Sequence, residues 1–343
     1  MKDAVQEKVN QWYNEGDREI FPISDQIDYL NKKLYFDYEP GIGPKPDFHS
    51  RLKRWLSNVD SEDDKKALFK LIPKIFYIGK NEFDTLYRIA YNTNAVRWII
   101  DVKNLIIDQS LQGKLVEALK RTWFCPVTDS MRINQFYHLN SIGGAGKRPE
   151  WRALEAFGSK SKIEEYIEKN DFERIVLLED FVGSGNQVKD SVAYAAETFP
   201  EIDFLVAPIL MCPQADSLMD ELVAKYQNVT VSPVLRLNKD VFLSQERDDN
   251  KNDFREVFDL TQIGFERMKE ENAPDSEAEL VNELYGIPKS AYLKLKKTIL
   301  TKPFLGFRGM GGLVVLHTNT PNNTIPIIWS NVNWHPLFNR HVR

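Results

Sequence analysis

Cysteine is scarce: the 343 residues contain two, Cys125 and Cys212, each set between an apolar run and a proline. A disulfide framework or a cysteine zinc site needs more thiols at other spacings, so both read as buried, reduced thiols. Long hydrophobic runs are missing too. None approaches the roughly 18 apolar residues of a membrane span. The opening MKDAVQEKVNQWYNEGDREI is too polar for a signal peptide, and the chain reads as a soluble cytoplasmic protein with no membrane partner. Charge of one sign is also lacking. The formal net charge of -5 is spread along the chain and gives no electrostatic footprint for duplex nucleic acid. Lys114, Lys120 and Arg121, like Lys294, Lys296 and Lys297, read as solvated helix faces. There is no Walker loop, no HExxH, no nucleophile elbow, no repeat and no low-complexity segment. His138 and His335 have no companions at metal spacing and read as structural.

What is present is a well-stocked core: 42% hydrophobic residues, with 20 Phe, 13 Tyr and 7 Trp, which argue against disorder. Residues 1–115 read as a helical region. KKALFKLIPKIFYIGK and NEFDTLYRIAYNT look like packed helices, and LQGKLVEALKR spaces Leu111, Leu115, Val116 and Leu119 for a helix. The Pro- and Gly-rich stretch from Phe36 to Phe48 reads as a loop. From Thr122 the texture changes. TWFCPVT, RIVLLED, DFLVAPILM and VTVSPVLRL are short runs suited to buried parallel strands. Helical patterns separate them: SKIEEYIEKN, with Ser161 and Glu164 at capping-box spacing, then NQVKDSVAYAAETF and ADSLMDELVAKYQ. Alternation of this kind predicts an α/β fold with an open, mostly parallel, Rossmann-like sheet over residues 116–343, carrying a helical insert at about 238–301. The insert is placed as a hood or a partner surface, with Gly286 as a helix C-cap. Near the end, LVVLH and IPIIW are expected as two more strands.

The chemistry concentrates in IVLLEDFVGSGNQ, Ile175–Gln187. An interior strand over Arg174–Glu179 delivers Glu179 and Asp180 to the carboxyl edge of the sheet, where ligands bind in such folds. Two adjacent carboxylates there can accept hydrogen bonds from a vicinal diol. Gly183, Ser184, Gly185, Asn186 and Gln187 follow and open a helix. Glycines admit a phosphate to backbone N–H groups, and the helix start adds donors and positive potential. Two carboxylates repel a phosphate, so the phosphate belongs beyond them, in this loop. The loop is expected to lie outside the core. A structural alternative makes the acids capping groups and the glycines a tight turn.

This segment resembles the phosphoribosyl diphosphate motif of type I phosphoribosyltransferases: a hydrophobic strand, two acids, three linkers, then Thr-Gly-Gly-Thr. Glu179 and Asp180 match the acids, Ser184 the first Thr and Gly185 the first Gly. Asn186 and Gln187 replace the last two residues, which bears on turnover more than on binding. GFRGMGGLVV and NTPNNTIPIIW, near the C-terminus, are similar to divergent phosphoribosyltransferase-like effectors of prokaryotic antiviral conflict systems. The resemblance implies a phosphorylated ribose or nucleotide as ligand, phosphoribosyl diphosphate with Mg²⁺ held through Glu179 and Asp180, transfer at the ribose anomeric carbon, and a protein partner in a defence complex. It also implies a pyrophosphate loop after an earlier strand. FCPVTDSMRIN is in position for it, with Asp129, Ser130 and Arg132 as candidates, beside the reading of an ordinary polar loop.

Other readings stand beside this one. A non-catalytic nucleotide sensor can use the same pocket. The segment also resembles the Asp-Pro-Phe-x-Gly-Ser-Gly loop of S-adenosylmethionine-dependent amino-methyltransferases, but those need a Pro-Pro-aromatic motif and no Pro-Pro pair occurs here. SIGGAGKRPEW, Ser141–Trp151, fits either a lid over phosphates or a linker. His317, Asn319, Asn322 and Asn323 fit either a ligand ring or a capped turn.

Overall fold

The computed structural model describes residues 2–39, 46–128, 130–143, 160–242, 282, 287–298, 306 and 310–340. Its helices are α1 (Lys2–Asn14), α2 (Ile20–Lys33), α3 (Phe48–Leu56), α4 (Glu62–Leu71), α5 (Lys80–Ile89), α6 (Val96–Val102), α7 (Leu111–Lys120), α8 (Ile133–Leu139), α9 (Lys160–Asn170), α10 (Asn186–Thr198), α11 (Asp216–Lys225), α12 (Lys289–Thr298) and α13 (Pro326–Trp329). Its strands are β1 (Phe76–Ile78), β2 (Thr122–Pro126), β3 (Arg174–Val182), β4 (Asp203–Met211), β5 (Val229–Val231), β6 (Leu235–Arg236) and β7 (Val314–Leu316). The α/β fold with mostly parallel sheets is present, as is the helical N-terminal region. No helix among the described residues is long and apolar enough to cross a membrane.

The chain divides into two compact units, Met1–Lys80 with Lys239–Arg343, and Asn81–Asn238. This differs from a division at residue 115. Residues 81–115 join the main sheet, and the C-terminal tail joins the N-terminal helices. Backbone pairing is the reason: β1 and β7 form a parallel pair with Tyr77 opposite Val315. Pairing also makes a strand of Phe76–Ile78, inside a stretch whose apolar spacing suggests helix.

In the first unit, α3 starts where Asp47 accepts from the Ser50 N–H, and α4 where Ser61 accepts from Asp64, with Glu62, Asp63 and Asp64 in its positive first turn. Trp55 and Trp334 both donate their indole N–H to the Ile327 carbonyl. IPIIW is therefore not a strand. Pro326 opens the short helix α13, fully buried, where proline's missing N–H costs nothing. The Asn323 side-chain amide donates to Met310 Sδ. His317 bonds Ile78 and Glu39, and the Asn323 carbonyl would lie 2.9 Å from a Cβ at Gly312. That is the behaviour of a structural turn.

The second unit carries the order β2-β3-β4-β5, with β6 also on β4, all parallel. β3 is interior, as its unbroken apolar run requires. It runs to Val182, three residues past Glu179, because β4 keeps pairing alongside, with Val182 opposite Met211. Every residue from Arg174 to Glu179 is buried. One face packs Ile175 and Leu177 against Val188 and Val192 of α10 and Met219 and Leu222 of α11. α9 already runs at Lys160, so Ser161 sits inside its first turn instead of capping it. Both cysteines are buried thiols. Arg121 pairs with Asp171 and Glu173, and Lys120 with Glu117, the behaviour of solvated faces. Gly286, most of the insert at 238–301 and most of Ser141–Trp151 lie outside the described residues.

Candidate functional site

The parallel register assembles the site. Pro126 of β2 stands opposite Leu178 of β3, and the Val127 N–H donates to the Leu178 carbonyl at 2.8 Å. The chain leaving β2 must then pass the acidic pair. Thr128 donates to Glu179 Oε1 at 2.7 Å. Ser130 Oγ lies 3.1 Å from the same oxygen and 2.8 Å from Asp180 Oδ1, so one hydroxyl spans both carboxyl groups. The two hydroxyls are 2.6 Å apart.

The two acids are not equivalent. Glu179 is 4% exposed, and its Oε2 is buried without a hydrogen-bond partner. Asp180 is only partly buried. Burial, and next the charge of Asp180, push the Glu179 carboxyl up to about 8. The hydroxyls of Thr128 and Ser130 pull it back without overcoming that. The two carboxyl groups share the Ser130 hydroxyl and titrate as a pair, and burial together with the neighbouring charge of Asp180 favours the proton on Glu179.

Ser130 was expected at a pyrophosphate and stands on the acidic pair. Asp129 lies outside the described residues. Arg132 is exposed at the start of α8. Tyr87, on α5, is buried and donates to Met131 Sδ at 3.7 Å. Burial first, then the charge of Asp180, raise its phenol, while Arg132 opposes the shift, so Tyr87 stays a neutral donor. Sequence reasoning missed Thr128 and Tyr87. Thr128 is recoverable from the register, two residues past the end of β2. Tyr87 carries no signal beyond that of a core aromatic.

Beyond the acids, Gly185 is the N-cap of α10 at φ +81°, a left-handed conformation in which glycine avoids the Cβ clash. Gly185 brings no side chain to cap this helix, and no acid stands in its first turn. Its first N–H groups keep their positive potential. Asn186 Nδ2 donates to Ser184 Oγ at 3.1 Å. The loop does not lie wholly outside the core. Gly185 is buried, and a Cβ there would stand 2.8 Å from Leu218 Cδ2 and 3.4 Å from Ala215 Cβ. Between β4 and α11, both amide atoms of Gln214 are buried without a partner.

An interior parallel strand with an acidic pair near its C-terminal end, followed by a left-handed glycine at a helix start, is the arrangement of a phosphoribosyltransferase-like domain. The PRTase-CE family model matches residues 52–340, and the chain belongs to that family. Neither the curated proteins nor the solved structures contain a match to this chain.

Proposed function

We propose that the second unit binds a phosphorylated ribose, phosphoribosyl diphosphate or a nucleotide, and acts at the ribose anomeric carbon. The observation that carries this is the placement of a partly exposed carboxylate, Asp180, near the C-terminal end of β3, a few residues before a helix whose N-cap is the left-handed Gly185. Asp180 accepts from the ribose hydroxyls. The loop Gly183–Gln187 takes the 5-phosphate through backbone N–H groups. Glu179 joins only where ligand hydroxyls displace Thr128 and Ser130 from Oε1, since its other oxygen is buried. The open amide of Gln214 suits the edge of a base, which presents donor and acceptor side by side.

Mg²⁺ fits as a companion of the ligand. Among the described residues no group of three or more His, Cys, Asp or Glu can cage a metal. One accessible carboxylate is the donor set Mg²⁺ uses when it arrives on a diphosphate and keeps its waters. Asp180 would hold it, and the ion would neutralise charge on the departing pyrophosphate.

The departures Asn186 and Gln187, with an acidic pair already bonded to the protein's own hydroxyls, favour a second reading: a nucleotide sensor that regulates a partner, as an antiviral effector does. Calorimetric titration of phosphoribosyl diphosphate with Mg²⁺, run beside a pyrophosphate-release assay, separates the two. Turnover supports the transferase, and saturable binding without release supports the sensor. If ribose 5-phosphate and its 2,3-dideoxy analogue bind equally, the diol reading fails. A thermal shift with S-adenosylmethionine and none with ribose phosphates sinks both readings in favour of methyl transfer.

A further inference from the structure

Among the described residues of the first unit, Arg51 is a cation that no carboxylate pairs with. Arg51 projects from α3 into a box of aromatic rings. Its guanidinium carbon lies 4.8 Å from the ring centre of Tyr38, 5.2 Å from Phe338 and 5.8 Å from Phe48. Tyr35 and Tyr77 pack on the same Phe338, so the box is rigid. Nε is buried and has no hydrogen-bond partner. Among the described residues no carboxylate pairs with Arg51, and Asp47 acts on it only through space. Burial lowers its basicity for the same reason.

The acids of this neighbourhood are committed elsewhere. Asp47 accepts from the Ser50 N–H and hydroxyl at the start of α3. Asp37 accepts from the Tyr77 hydroxyl and the Lys80 N–H. A second buried polar atom lacks a partner here, Asn339 Oδ1, on the residue after Phe338 whose carbonyl takes the Tyr38 hydroxyl.

A guanidinium offers five N–H donors in its plane and none on its faces. Stacked rings cover faces and leave the edge free. That edge matches the two oxygens of a carboxylate or phosphate. Packing has already fixed the side chain, so little rotamer freedom is lost when an anion arrives. A stacked arginine kept only for structure has no need to forgo every acceptor. We propose that Arg51 anchors an oxyanion site in the first unit, taking the phosphate or carboxylate group of a small ligand along the Nη edge of its guanidinium.

The test is the melting temperature of the full chain in chloride buffer, with sodium phosphate or sodium acetate added at matched ionic strength. Wild type, Arg51→Met and Arg51→Lys are compared. In chloride, Arg51→Met melts at or above wild type, because an uncompensated buried charge is gone. Phosphate or acetate raises the wild-type value beyond the chloride control, and Arg51→Met loses roughly half or more of that rise, the share due to this site. The remainder reports the phosphate loop of the second unit and non-specific salt effects. The more effective anion identifies the ligand group. Should Arg51→Met not fold, Arg51→Lys decides: it keeps the charge, loses the planar fork and shows a reduced rise. An anion response undiminished in the folded variants overturns the proposal. So does a lower melting point of Arg51→Met with an unchanged response, which marks Arg51 as a stacking residue only.

Discussion

Replacing Gly185 by alanine tests whether the phosphate loop is built on the core or merely attached to it. Two costs follow from its geometry. At φ +81° an L-residue brings its Cβ against the backbone, about 1–2 kcal/mol. The new Cβ then meets Leu218 Cδ2 at 2.8 Å, Met219 Cε at 3.0 Å and Ala215 Cβ at 3.4 Å. The first two are ends of flexible side chains and swing aside, while the third is rigid but not overlapping. Overpacking therefore falls at the low end of its range, about 1 kcal/mol. The sum is about 2–3 kcal/mol, a drop in melting temperature of about 4–12 °C for a domain of 150–250 residues. Valine adds β-branching at the same φ and does worse, so Gly185→Val is not the inert binding probe that an exposed loop suggests. The assay is urea and thermal unfolding, with the urea slope required to stay constant so that a midpoint shift reads as stability. Gly113→Ala is the control: in α7 a Cβ at Gly113 meets nothing within 4 Å, and helix propensity predicts a gain of about 0.5–1 kcal/mol. If Gly185→Ala unfolds within about 0.5 kcal/mol of wild type, the left-handed cap and its packing on α11 are wrong.

Other outcomes follow from the acidic pair. Asp180→Asn weakens ribose 5-phosphate by one charge-assisted bond, about 1.5–3 kcal/mol or roughly 10–150-fold in calorimetric titration, with little change in melting point. Ser130→Ala removes a hydroxyl that competes with the ligand for Glu179 Oε1 and Asp180 Oδ1, so ribose 5-phosphate binds several-fold more tightly; weaker binding makes Ser130 a support instead. Glu179 has a folded pKa above its ordinary 4.5, so the native state binds the extra proton. Its stabilising effect is complete below about 4.5 and is lost as pH rises through about 8, at up to about 1.4 kcal/mol per pH unit. Without Mg²⁺, wild type therefore loses stability between pH 5 and 8 relative to Glu179→Gln, and parallel curves for the two proteins refute the raised value.

How much of this was legible depended on whether the signal was local. β3 and α10 announced themselves because an apolar run and a glycine loop are contiguous, and the helix starts at Asn186 as expected. β1 did not, because its partner β7 lies at the far end of the chain and Phe76–Ile78 is too short to show a period. IPIIW misled because a fully buried helical turn and a buried strand present the same apolar residues. The carboxylates could be named from sequence, but not their inequality. That arises from the burial of Glu179 between strands, and the hydroxyls that contact it, Thr128 and Ser130, lie about fifty positions away, where the register of two strands decides the contact.

The β1–β7 pairing also sets a timetable. Residues 81–238 form a continuous unit whose contacts are complete once that stretch has left the ribosome. The other unit is split, and β1 has no strand partner until Val314–Leu316 has been synthesised, on the order of tens of seconds later at ordinary elongation rates. During that interval its N-terminal helices lack Ile327, the acceptor for Trp55, and Phe338, one ring of the arginine box. A ribosome that stops early therefore releases a sheet unit able to close beside a helical segment that cannot, and chaperones and proteases meet the first eighty residues as an unfinished surface.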